Sequence, residues 1–267
     1  MGLLLLGILT LAGNSTIPGG VIRWSVPSTT RCGMKARTWR SVGETCYYPV
    51  DLEQRLGEIT IVRYRGQRRE TTRVTVEAHD YGTQEITLPD IPQAHPSPAD
   101  LRRAERERLF VSRVFRRGEG PPRFTLPLGP PAHPLPKGEA FGVKRIFDGK
   151  PAPNPHTGID FPVPIHSPVL AVADGTVVLA RDLFYEGQAV MIDHGDGLIS
   201  EYFHLEEIRV KVGEKVNKGH TLGLVGSTGR ATGPHLFFGI RWHDARINPG
   251  YLLEDPEKIP AIEAGSH

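Results

Sequence analysis

Two cysteines, almost no excess of charge and no apolar run long enough for a bilayer set the first limits on this 267-residue chain. A spanning helix needs about 20 apolar residues, so no stable membrane span is expected. A net charge of +2 gives no basic surface of the kind nucleic acid requires. The chain also lacks G-x-S-x-G, a Walker lysine loop, a G-x-G-x-x-G opening a helix, and H-E-x-x-H. These absences exclude the common serine hydrolase, P-loop, dinucleotide-binding and zincin readings. Cys32 and Cys46 form no C-x-x-C pair. Inside a cell they read as buried thiols. Outside one they read as a single disulfide closing a short loop, worth about 3 kcal/mol in the chain-entropy view.

What is present is ordinary globular material, 39% hydrophobic and 23% charged. With 30 glycines and 24 prolines, turns and strands are expected rather than a helical bundle. The length suits two domains. The charge is uneven: 19 Lys and Arg against 13 Asp and Glu up to residue 130, then 13 against 17, which suggests two different units. Residues 2–12 (GLLLLGILTLA) are apolar and Ala12 is small, as before a secretory cleavage site, although no Lys or Arg precedes Arg23. A leader over 1–16 and export to the periplasm or beyond are expected. The alternative is a buried first strand.

Residues 17–92 read as a small β-sandwich-like domain with strands at 21–26, 58–64, 71–78 and 85–88. Arg63, Arg65, Arg68, Arg69 and Arg73 crowd one hairpin, as a solvated strand face or an anion-contacting patch. Ser97-Pro98-Ala99-Asp100 carries the signals of a helix start. Seven prolines in 120–136 exclude regular structure there, so 93–139 reads as a short helix and a Pro-rich linker. From 140 to 253, short β-branched segments between Asp-Gly and Gly-Ser-Thr-Gly turns predict an antiparallel all-β domain, followed by a tail over 254–267.

The chemistry concentrates in the histidines of that last domain. His156 and Asp160, four apart in a loop, can offer one nitrogen and one oxygen to a metal. His204 ends a strand and His235 opens another. Either imidazole could take a proton from a metal-bound water or steady a developing oxyanion. Taken singly, each reads first as a satisfied surface or core residue.

Taken together, the segments H-T-G-I-D (156–160), P-V-L-A-V-A-D-G-T-V-V (168–178), I-D-H-G-D-G (192–197), Y-F-H-L (202–205), V-G-E-K-V (212–216) and V-G-S-T-G-R-A-T-G-P-H-L (225–236) resemble the lysostaphin-type (LytM-like) zinc endopeptidases. Those enzymes cut peptide cross-bridges of bacterial peptidoglycan. The resemblance implies a zinc cofactor held by His156 and Asp160, with His204 and His235 in catalysis and His194 in a structural turn. It implies peptidoglycan peptides as the substrate. The departure is at the third ligand, where the family's H-x-H has its second histidine and this chain has Phe237. A phenyl ring has no lone pair to give. His243 lies about 20 Å further along an extended strand, and His166 and His220 cannot be placed. The remaining replacement is His235 itself, which would leave its catalytic role. Three readings therefore stand: a zinc endopeptidase, a non-catalytic cell-wall module that binds peptide or activates a hydrolase partner, or a protein whose N-terminal β unit carries the function.

Overall fold

The computed structural model describes residues 14–25, 27–115 and 120–262. The apolar run at 2–12 lies outside the described residues. Ser15–Thr16 forms β1 and pairs in parallel with β7, Ser15 opposite Thr75 and Thr16 opposite Val76. A leader ending at 16 would therefore remove two residues of the folded sheet.

The N-terminal strands are β2 (Val21–Ser25), β3 (Thr29–Met34), β4 (Arg37–Arg40), β5 (Thr45–Pro49), β6 (Gly57–Arg65) and β7 (Arg68–Val76). They form a five-stranded sheet ordered β1-β7-β6-β3-β4 and a separate β2-β5 pair. Val74 and Val76 of β7 point inward while Arg73 and Thr75 face water, which is the period-2 alternation of a half-buried strand. Ile22, Trp24, Tyr48 and Ile61 fill the space between, beside a disulfide joining Cys32 to Cys46. The arginine hairpin is only partly neutralised: Arg63, Arg65 and Arg68 share Glu70, and Arg73 faces Glu58.

After β8 (Thr83–Ile86), α1 runs Pro98–Val114. Its start follows the sequence signal: Ser97 caps the backbone N–H of Asp100, whose carboxylate takes the N–H of Ser97 in return. The proline-rich stretch holds no regular structure, yet it is packed rather than free. Phe124, Leu128 and Ala132 are buried, and the N–H groups of Leu128 and Gly129 donate to Leu252 and Val172.

The second half contributes β9 (Lys144–Phe147), β10 (Lys150–Pro151), β11 (Gly158–Phe161), β12 (Pro168–Leu170), β13 (Gly175–Leu183), β14 (Gly187–Asp193), β15 (Leu198–Ile208), β16 (Lys215–Val216), β17 (Thr221–Val225), β18 (Leu236–Trp242) and β19 (Ala245–Ile247), with a short α2 (Gly250–Leu253). All but β9 and β10 join one antiparallel sheet, ordered β11-β18-β15-β14-β13-β16, with β12, β17 and β19 paired off that path. One face presents Phe161, Tyr202, Phe238 and Trp242 to the main core. The other presents Leu179, Met191, Ile199, Phe203 and Phe237, covered by Val114 and flanking apolar residues of α1.

The two halves are not separate beads. Val21, Tyr47 and Leu52 share one core cluster with Trp242 and Tyr251, and β8 pairs in parallel with β9. Arg246 reaches back to Asp51 and Glu53 at 2.7 and 2.5 Å.

Phe238 is fully buried in the shared core. In urea unfolding, Phe238→Ala should lower stability by about 3–5 kcal/mol, and Ser97→Ala by about 1 kcal/mol through the lost cap.

Candidate functional site

The pairing of β11 with β18 brings the predicted residues together. Asp160 lies directly opposite Phe237 and Phe161 opposite Leu236, so Asp160 and Phe237 share a face. Asp160 sits on a strand, not in the loop expected from sequence, and His156 lies just before that strand. The His156 backbone N–H donates to Val143, and its Nδ1 stands 3.1 Å from the Ala140 carbonyl. In the neutral ring, Nδ1 carries the proton to that carbonyl and Nε2 turns its lone pair inward. Nε2 is 3.3 Å from Asp160 Oδ1.

His235 repeats the arrangement from the other side. Its Nδ1 is 2.8 Å from the Gly233 carbonyl, and its Nε2 is 3.6 Å from the same Asp160 oxygen. That oxygen is buried and makes no hydrogen bond, while Oδ2 is held by the guanidinium of Arg145. Burial pushes the Asp160 carboxyl up, but His156, Arg145 and His235 outweigh it and hold the group well below the usual carboxylate range.

His204 reaches the same face through a β-bulge. Val190 faces Tyr202 and Gln188 faces Leu205, so Phe203 and His204 together oppose the single residue Ala189. His204 takes a positive φ of 63°, uncommon for a non-glycine residue. Its Nδ1 is 2.8 Å from the Thr228 carbonyl, and its ring lies 4.8 Å from that of His235. Burial, then the nearby His235, pull its pKa down to about 3, so the ring is neutral at physiological pH.

Phe237 is 5% exposed. Its ring stacks on Phe203 with centroids 4.7 Å apart and 7° between planes. It meets His156 edge-on at 5.1 Å. The ring thus stands against the first histidine, where the resemblance requires the third ligand. Catalytic zinc takes three protein ligands and one open position. Here His156 and Asp160 supply two donors and the next position holds carbon. Among the described residues, no group of three or more His, Cys, Asp or Glu is arranged to hold a metal ion. The donor set does not fit a three-ligand zinc site.

Beside His235 and Asp160 opens a cavity of about 550 Å³, lined also by Tyr81, Thr83, Lys137 and Arg145. His194 is elsewhere, fully buried and bonded to the Asp174 carbonyl and Ser200 Oγ, as a turn-holding residue would be. His166 and His243 take positive φ in turns. His220 is exposed and stands 3.9 Å from Glu214. Sequence reasoning missed Arg145, because β9 has no clean alternation. It also missed Glu201, which follows the β15 register onto the Phe237 face.

Residues 154–249 match the sequence pattern of peptidase family M23. A Pseudomonas aeruginosa protein crystallised as a candidate M23 peptidase is 30% identical, with a TM-score of 0.67 over 89% of this chain and 94% of that one. The chain belongs to peptidase family M23. It is 49% identical over 100 residues to the peptidoglycan DD-endopeptidase ShyA of Vibrio cholerae, covering 38% of this chain and 23% of ShyA. It is 41% identical over 110 residues to the DD-carboxypeptidase/endopeptidase Mpg of Neisseria meningitidis, covering 41% of this chain and 25% of Mpg. The match therefore spans about a quarter of the length of these curated relatives.

Glu201 makes the stability depend on pH. Burial, partly offset by Arg241, pushes its carboxyl up to about 7. A carboxyl whose folded pKa lies above its unfolded value favours folding at low pH, and that contribution is lost as pH rises through the folded value. Between about pH 4.5 and 7 the Glu201 contribution is lost while the neutral buried His204 and His194 contribute more. The check is therefore a difference: the melting temperature of Glu201→Gln relative to the parent should rise across that range.

Proposed function

We propose that this chain is an exported cell-wall module of the M23 family that holds peptidoglycan peptide in its groove without zinc-dependent hydrolysis. The observation that carries this reading is the Phe237 ring, buried and stacked on Phe203 against His156. The groove keeps what a peptide needs: a cavity beside His235, polar walls and a β-sheet floor. It lacks a third donor to fix a dication. Zinc, if offered, would meet His156 and Asp160 and supply Lewis-acid polarisation only from a complete site. In this reading the protein acts by binding, on the peptide itself or beside a hydrolase that cuts it. Export is supported by the Cys32–Cys46 disulfide, which suits an oxidising compartment. Among the described residues, no helix is long and apolar enough to cross a membrane.

One observation favours a second reading. Asp160 Oδ1 is buried without a hydrogen bond, and two imidazole nitrogens face it. A rotation of His235 would make it a stand-in third ligand, restoring a metal but removing His235 from proton transfer.

Elemental analysis after dialysis against metal-free buffer separates the two. The parent should retain well under one zinc per chain, Phe237→Ala none, and Phe237→His about one. A parent that keeps about one zinc per chain would establish the second reading.

A further inference from the structure

The loop that leads to His235 carries an arginine beside the cavity, outside the residues that line it. Arg145 is paired with Asp160 and Lys137 lies near Glu139, but Arg230 is in no ion pair among the described residues. Arg230 sits in the loop between β17 and His235. Its guanidinium carbon is 4.2 Å from the Phe147 ring centroid and 4.6 Å from that of Tyr185. Two aromatic faces from two other segments therefore hold it. Burial draws its pKa down from the ordinary arginine value, with Tyr185 and Glu186 acting in the opposite direction. It remains charged nonetheless. Glu186 does not neutralise it in contact, and burial pushes that carboxyl up.

The loop is firmly set. Thr228 Oγ1 accepts the Gln188 N–H at 2.9 Å and donates to the Leu205 carbonyl at 2.7 Å. The Thr228 carbonyl receives His204 Nδ1. Gly187 and Gly229 approach so closely that a Cβ on Gly187 would lie 2.3 Å from Thr228, and one on Gly229 would lie 2.4 Å from the Gly187 nitrogen. The Arg230 N–H is fixed to the Tyr185 carbonyl at 2.8 Å. Its position is tied to the site through β9, where Phe147 follows Arg145 by two residues. That spacing puts both side chains on one face about 7 Å apart.

A guanidinium packed against aromatic rings can still offer in-plane N–H groups to a ligand, and such an edge matches a carboxylate in a two-point pair. We propose that Arg230 is a specificity-determining residue of the groove, which selects peptides that carry a free carboxylate. The proposal rests on the peptide-binding reading above and names the chemistry of the bound peptide.

Titration calorimetry with acetyl-lysyl-D-alanyl-D-alanine as the free acid and as its C-terminal amide tests it. The parent should bind the acid about 10–100-fold more tightly than the amide. Arg230→Gln should bind acid and amide alike, near the parent's affinity for the amide, and Arg230→Lys should regain part of the preference. The ratio is read within each variant, so a loss of folded protein does not shift it. If Arg230→Gln keeps the parent's preference, or the parent binds both peptides equally, the assignment of Arg230 is overturned while the groove remains a peptide site. If neither peptide binds the parent, the peptide reading fails and this proposal fails with it.

Discussion

The antiparallel register between β11 and β18 is the constraint on which the site depends. With Asp160 opposite Phe237, one face of the sheet collects Asp160, Phe237 and, across β15, Phe203, while the alternate residues Ile159, Phe161 and Phe238 enter the main core. A slip of one residue would exchange these sets and place core phenylalanines in the groove. Several buried aromatic side chains on the core face hold the register, so the site is positioned by packing beneath it. The same logic fixes His204, whose bulge adds one residue to β15 and turns the imidazole onto the site face.

On that scaffold, the histidines share one device. His156, His204 and His235 each have Nδ1 against a backbone carbonyl, from Ala140, Thr228 and Gly233. Each ring is thereby oriented by the main chain, an outer contact of the type that sets the direction of metal-binding imidazoles. At the position opposite Asp160, where the resemblance requires a third donor, the Phe237 ring packs on Phe203. The stacked pair belongs to the apolar cluster under α1, continuous with Leu179, Met191 and Ile199. The Phe237 ring therefore joins the groove floor to an existing core, instead of standing as an isolated apolar group in a polar site.

Much of this was legible in the sequence because it rests on local signals. Ser97 to Asp100 marks the start of α1, and the short β-branched segments between turns after 140 form antiparallel strands such as 221–225 and 236–242. That Phe237 stands two residues after His235, where the resemblance has the second histidine of H-x-H, comes from the resemblance and from no local signal. Other features depend on contacts that no local pattern contains. β3, β4 and β5 are short and polar, with burial supplied by partners across the N-terminal core. The proline-rich stretch lacks regular structure as its composition requires, but its apolar residues pack on the second half instead of spacing the two halves apart. Arg145 and Arg230 are ordinary arginines until β9 and the 226–234 loop are folded beside Asp160, Phe147 and Tyr185.

The central question is whether hydrocarbon or metal stands beside His156. Crystals of the parent protein grown with zinc, with anomalous differences recorded on both sides of the zinc absorption edge, examine that point directly. The prediction is no zinc peak at His156 and Asp160, with the Phe237 ring stacked on Phe203. A full-occupancy peak bonded to His156, Asp160 and a turned His235 would contradict it.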